Sequence, residues 1–195
     1  GPENTVKAAI AAGLPPKDGE GAARTIGLEN NVGNVLGSAG ARPIDMASAY
    51  ATIAAEGVYT RPYIVRSTTS ADGKIDYTVD VNASKKTAFS KDVAADATDA
   101  LRAVVTSGTG TGAAALGRPA AGKTGTSTDS VSAWFVGYTP QVSISVGMEI
   151  PDAAGNPTSM NGIPSLASGA LPVTVWTDVA RAYLEGKEVA QFPAR

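Results

Sequence analysis

The segment Gly122-Lys123-Thr124-Gly125-Thr126-Ser127 holds the residues of this sequence best suited to gripping an anionic ligand. If it forms a strand, its side chains alternate between faces, so Thr124 and Thr126 share one side with a glycine between them. Two hydroxyls at that spacing can hold a single carboxylate. Lys123 adds a positive charge beside them, and Gly125 lets a ligand lie against the backbone. A Lys-Thr-Gly tripeptide is equally what an ordinary polar strand end looks like, so its meaning depends on its surroundings.

What is missing narrows the chemistry further. The 195 residues include no histidine and no cysteine. Ser-His-Asp catalysis, thiol nucleophiles, disulfides and His- or Cys-ligated zinc sites are therefore excluded within this chain. Acid–base work falls to Lys, Asp, Glu or Tyr. The formal net charge is -2 and charged residues make up 17%, a balance without the basic footprint that nucleic acid requires. No apolar run approaches the ~18 residues of a membrane span and no signal peptide opens the chain, so no membrane contact is expected from it. Nothing in the sequence calls for a cofactor or a metal.

The elements that must position the segment follow from periodicity. A helix is expected from Glu3 to Ala12, stopped by Gly13 and Pro15-Pro16. A polar stretch, Lys17 to Ala23, follows it. A second helix begins near Pro43, with Ile44, Ala47, Tyr50, Ala51 and Ala54 as its apolar stripe, and ends at Gly57. Tyr63 to Thr69 and Lys74 to Val79 flank Asp72-Gly73 as a hairpin. Ser90 caps a helix running to Thr106, with Val93, Ala97, Leu101 and Val104 along one side. The glycine-rich run Ser107 to Gly112 allows a close backbone approach. Strands then alternate over Ala120 to Ser127, Ser132 to Tyr138 and Val142 to Ile150. A loop, Pro151 to Ala170, leads to a closing helix, Pro172 to Leu184, with Val175, Trp176, Val179 and Tyr183 on its stripe. Helices followed by strands and a final helix give an α+β fold, an antiparallel sheet flanked by helices, without internal repeats.

Several stretches together resemble class A (bifunctional) penicillin-binding proteins. These are Ala121 to Ser127 followed by Ala133-Trp134-Phe135-Val136-Gly137-Tyr138-Thr139-Pro140, the helix Arg42 to Ala51 with its Ala55-Glu56-Gly57 turn, the run Thr106 to Ala113, and Gly169-Ala170-Leu171-Pro172 with Trp176. The resemblance covers nearly the whole chain in the family's order. It implies that residues 1–195 are the C-terminal portion of one transpeptidase domain of the penicillin-binding, serine β-lactamase-like fold. It also implies D,D-transpeptidation in peptidoglycan synthesis: a serine attacks the D-Ala-D-Ala bond of a stem peptide, and β-lactams acylate the same serine. Carried over, Lys123 lines the pocket, Lys123, Thr124, Gly125 and Thr126 bind the substrate, and the Thr126 N–H serves as an oxyanion donor. The implied partners are stem peptides, β-lactams and the N-terminal part of the same domain. The implied location is the extracytoplasmic face of the cytoplasmic membrane, through an anchor elsewhere in the parent. The Ala-, Gly- and Thr-rich composition points to an actinobacterial source.

The sequence departs from the family in one respect: no serine is followed three positions later by lysine. The nearest miss, Ser70 to Lys74, is one residue too long and falls in the expected hairpin turn. Ser159-Met160-Asn161 spells the family's second motif but follows the Lys-Thr-Gly strand, where it reads as a polar loop. The nucleophile is therefore expected outside this chain, leaving it inactive alone and with apolar surface exposed where the missing part packs. Within the family, a serine β-lactamase or D,D-carboxypeptidase is an alternative, as is a non-catalytic cell-wall peptide-binding domain. A nucleotide-binding loop is the rival of another class, because Gly117 to Thr124 fits the P-loop letters. Pro119 removes a phosphate donor, however, and Gly125 opposes the helix such a loop must open. Glu149 and Asp152 read as solvated charges and Trp134 and Tyr138 as core, so none of them joins the site.

Overall fold

The computed structural model describes residues 1–16, 24–163 and 169–193. The expected Lys17 to Ala23 stretch lies outside the described residues, as does part of the loop before the closing helix. Helix α1 spans Pro2–Ala12 and ends at Gly13, whose φ of 124° favours glycine. A 3-10 turn, Val32–Leu36, precedes α2, Pro43–Ala54, which Pro43 opens at its first position. Two short ladders follow. β1, Val58–Tyr59, pairs with β4, Lys86–Thr87, and β2, Ser67–Thr69, pairs with β3, Ile75–Thr78. Helix α3 covers Lys91–Thr106 and is capped by Ser90, whose Oγ accepts the Val93 N–H at 3.3 Å.

Strands β5 (Ala121–Thr126), β6 (Ala133–Thr139) and β7 (Val142–Met148) form one antiparallel sheet in that order. β8 (Ile150–Pro151) and β9 (Pro157–Thr158) make a small hairpin, and α4, Ala170–Leu184, closes the chain. Antiparallel strands and flanking helices agree with the α+β expectation.

Helices cover both faces of the sheet. On one, Trp176 of α4 is fully buried, meets Phe135 edge-on at 5.3 Å and donates its indole N–H to the Gly137 carbonyl at 3.1 Å. Gly137 has to be glycine at this crossing, because a Cβ there would lie 2.8 Å from Phe135 and 3.0 Å from Trp176. Val105, Leu116, Val173, Ala180 and Leu184 complete that core. On the other face, Tyr50 of α2 meets Tyr138 edge-on at 6.2 Å, and Ser143 Oγ donates to the Ala47 carbonyl at 2.8 Å. The Tyr138 hydroxyl lies 2.9 Å from that of Thr98, which ties α3 to the sheet. Burial pushes the Tyr138 phenol up to about 12, the Thr98 hydrogen bond opposes the shift, and Tyr50 adds to it.

Three of the expected helix stripes require correction. In α2 the buried residues are Asp45, Ala49 and Thr52, while Ile44 stays exposed. In α3 they are Ala94, Thr98 and Val105, with Val93 outside. In α4 they are Pro172, Val173, Trp176, Thr177, Ala180 and Leu184, leaving Val179 and Tyr183 exposed. In α3 the inward residues Ala94 and Thr98 are small, and across the three helices Ile44, Val93, Val179 and Tyr183 turn outward. The expected long hairpin is also shorter: Tyr63 to Val65 form no strand.

Candidate active site

Lys123, Thr124, Gly125 and Thr126 all lie on β5, an edge strand whose outer side pairs with no other strand among the described residues. The register against β6 sets Lys123 opposite Val136, Thr124 opposite Phe135 and Thr126 opposite Ala133. Thr124 and Thr126 therefore share a face, as the alternation requires. Gly122 cannot carry a side chain, because a Cβ would come within 2.7 Å of the Phe135 ring and 2.9 Å of Gly137 Cα. Lys123 is exposed, and its Nζ donates to the Thr124 carbonyl at 2.9 Å, which holds the ammonium along the strand edge.

The glycine-rich run has a definite task. After α3, the Gly110 N–H returns to the Val104 carbonyl at 3.0 Å, and a Cβ on Gly110 would lie 3.1 Å from Phe135. This tight passage brings Thr109 to the site, where its Oγ1 lies 2.5 Å from that of Thr124. Thr109 is the site neighbour that sequence reasoning missed. Only the close passage of the loop signals it, and that passage depends on Phe135, 26 residues away by number. Beyond Gly117, at a left-handed φ of 69°, Arg118 donates to the carbonyls of Leu184, Lys187 and Glu188. The guanidinium thereby satisfies the open carbonyls at the end of α4 and anchors the entry to β5.

The far end of β5 is fixed as well. Ser127 Oγ accepts the Ser132 N–H at 2.8 Å across a turn in which Asp129 and Ser130 have φ values of 56° and 53°. Ser159 Oγ donates to the Asp129 carbonyl at 2.7 Å, and the Met160 N–H donates to the Ser130 carbonyl at 3.0 Å. Met160 is buried with Ala133, against Met148 and Leu171. Ser159-Met160-Asn161 thus buttresses the β5–β6 turn, in keeping with its reading as a loop. Thr126 lies beside the start of α4, since a Cβ on Gly169 would be 3.9 Å from its Oγ1.

Lys123 and Thr124 sit within a strand, and no helix opens after them. The P-loop alternative is overturned by that geometry, because its lysine and threonine must begin a helix to present successive N–H groups to phosphate. Among the described residues no group of three or more metal-ligating side chains occurs.

An edge strand bearing a lysine and two hydroxyls, backed by a three-stranded sheet and a closing helix, matches a known architecture. Residues 5–165 match the penicillin binding protein transpeptidase domain model, and the chain belongs to that family. It is 34% identical to penicillin-binding protein 1A of Mycolicibacterium smegmatis, with 99% of this chain and 26% of the relative covered. It superposes on the structure of the penicillin-binding protein PonA1 from Mycobacterium tuberculosis with a TM-score of 0.79 at 31% identity. The match to PonA1 in complex with penicillin V has a TM-score of 0.75 at 28% identity. In both superpositions 99% of this chain is covered, and it spans 52% of the solved chain.

Proposed function

We propose that this chain supplies the substrate-binding strand of a serine-type D,D-transpeptidase that cross-links peptidoglycan and is acylated by β-lactams. The observation that carries this reading is the free outer edge of β5 with Lys123, Thr124 and Thr126 along it. An extended peptide can lie against such an edge and form main-chain hydrogen bonds, while side chains fix its end. In this reading the terminal carboxylate of a D-Ala-D-Ala stem peptide is held by the hydroxyls of Thr124 and Thr126 beside the Lys123 ammonium. The carbonyl of the scissile bond then faces the Thr126 N–H, which stabilises its developing negative charge by ~3–4 kcal/mol. A serine hydroxyl adds to that carbonyl, the terminal D-Ala leaves as an amine that takes up a proton, and an ester remains. An amine from a neighbouring strand attacks the ester, restoring the serine and forming the cross-link.

The serine belongs to the preceding part of the domain. These 195 residues contain no Ser-x-x-Lys. Ser127 and Ser132, the serines nearest the strand end, are held in the β5–β6 turn. Exposed Ile26, Val32, Val35, Leu36 and Ile44 provide the apolar surface a covering half would need. Residues 1–195 are then the C-terminal portion of one domain, inactive alone, working outside the cytoplasmic membrane through a parent that carries the anchor. The test is to incubate the parent protein with a D-Ala-D-Ala stem pentapeptide and an amine acceptor. Release of D-Ala with new amide bonds is expected. Release without amide bonds would indicate hydrolysis as in a carboxypeptidase, and no release at all would overturn the reading.

A further inference from the structure

A sizeable open cavity lies away from the Lys-Thr-Gly strand. It encloses about 770 Å³ between the β1–β4 ladder and the β2–β3 hairpin, and Tyr59, Arg61, Tyr63, Tyr77, Asp80 and Lys86 are among the residues lining it. None of its lining residues belongs to β5, β6 or the 107–112 loop. Its volume falls within the roughly 300–1,000 Å³ of small-ligand sites, and its lining combines aromatic surface with a few polar groups, as such sites do.

The hairpin beside it has almost no core of its own. Every residue of β2 and β3 is exposed, Tyr77 at 50%, and in the segment leading into β2 Tyr63 is 45% and Val65 52% exposed. A two-stranded hairpin with so little burial is marginally stable in water, so Tyr77 on β3 is not held there by core packing, and neither is the exposed Tyr63 that precedes β2. Residues 59–86 carry five basic side chains against three acidic ones, in a chain whose net charge is -2. Of those acids, Asp72 is taken by Lys74 at the hairpin tip, at 3.1 Å. Arg61 and Lys86 enter no ion pair among the described residues.

We propose that this cavity is a second binding site, for an un-cross-linked peptidoglycan strand, with sugar rings against the tyrosines and stem-peptide carboxylates at Arg61 and Lys86. The chemistry matches on both counts. A pyranose presents an apolar C–H face and a hydroxyl rim, and a tyrosine offers a rigid ring with a polar tip at small entropic cost. Arg61 can grip a carboxylate through two parallel N–H bonds and Lys86 adds a point charge. Asp80, with one oxygen already accepting the Ala83 N–H at 3.0 Å, has its other oxygen to accept from a sugar hydroxyl. The site rests on the transpeptidase reading for the identity of its polymer. It gives that reading a place where a strand is held while its peptide reaches β5.

The test uses the full parent protein and a soluble un-cross-linked glycan–peptide strand, with affinity read by fluorescence anisotropy. Two variants, Tyr63→Ala with Tyr77→Ala, and Arg61→Glu with Lys86→Glu, are each expected to weaken binding by about tenfold or more, since loss of a stacking face or of a charge-assisted bond amounts to about that factor. Penicillin acylation is expected to stay at the wild-type rate in both, because none of these residues lies at β5. Undiminished strand binding by both variants would overturn the site, as would no strand binding by the wild type. So would hydrogen exchange showing residues 61–79 already covered by the rest of the parent without ligand. Failure of the wild type to be acylated by penicillin would instead strike the transpeptidase reading itself.

Discussion

Thr124→Val removes one hydroxyl from the proposed carboxylate clamp and leaves the strand its β-branched shape. In the free protein that hydroxyl is half of a 2.5 Å pair with Thr109, on an exposed loop. Water can replace Thr109's lost partner, so stability should fall by only about 0.5–1.5 kcal/mol, the net worth of an ordinary hydrogen bond. The ligand loses more, because a hydrogen bond to a charged group is worth about 1.5–3 kcal/mol. At ~1.4 kcal/mol per factor of ten, the second-order rate of penicillin acylation should drop roughly 10- to 150-fold. Thr109→Val leaves the clamp but frees its orientation, so its loss should stay below about tenfold, and Thr124→Ser should recover most of the rate. The assay is time-resolved labelling of the parent protein by fluorescent penicillin, with urea unfolding of each variant measured alongside. A stably folded Thr124→Val variant acylated at the wild-type rate would refute the assignment of this hydroxyl to the carboxylate.

The other predictions concern the scaffold. Gly137→Ala puts a methyl group 2.8 Å from Phe135 and 3.0 Å from Trp176, and the overpacking should cost ~1–3 kcal/mol or more, visible as a lowered thermal midpoint. Asp45→Asn removes the buried carboxylate's charge-assisted pairs with Arg24 at 2.7 Å and Arg42 at 2.9 Å, and because both arginines keep access to water the expected loss is about 1.5–3 kcal/mol in urea unfolding. The Tyr138 phenol is raised to about 12 by burial, so its stabilising contribution is complete below the unfolded value near 10 and lost as pH rises through 12. Alkaline unfolding should therefore steepen between those values, and Tyr138→Phe should flatten the slope while losing the Thr98 contact.

The sheet was legible in the sequence because its signals are local. Alternation along 121–148 placed β5, β6 and β7 to within a residue or two of their observed ends, and Asp72-Gly73 and Ser90 marked a turn and a cap that form as expected. The helix stripes were misread because size is a poor guide to which face packs. Ala94 and Thr98 of α3 go inward where the sheet comes close, while Val93 next to them stays out. Asp45 was passed over because an aspartate usually faces water. Its partner Arg24 lies 21 residues away, a pairing that no periodicity encodes. In the site, the four β5 residues were readable from their motif, whereas Thr109 reaches Thr124 only through the fold of the glycine-rich loop.

The central claim is that the strand Lys123 to Thr126 serves a serine that lies outside these 195 residues. Intact-mass spectrometry after penicillin treatment tests it most directly, on this chain alone and on the parent protein, with peptide mapping of any adduct. The expected result is an unmodified 195-residue chain and a parent carrying one penicilloyl group on a serine that precedes these residues. An adduct on this chain alone, at Ser127, Ser132 or any other serine within it, would contradict the account.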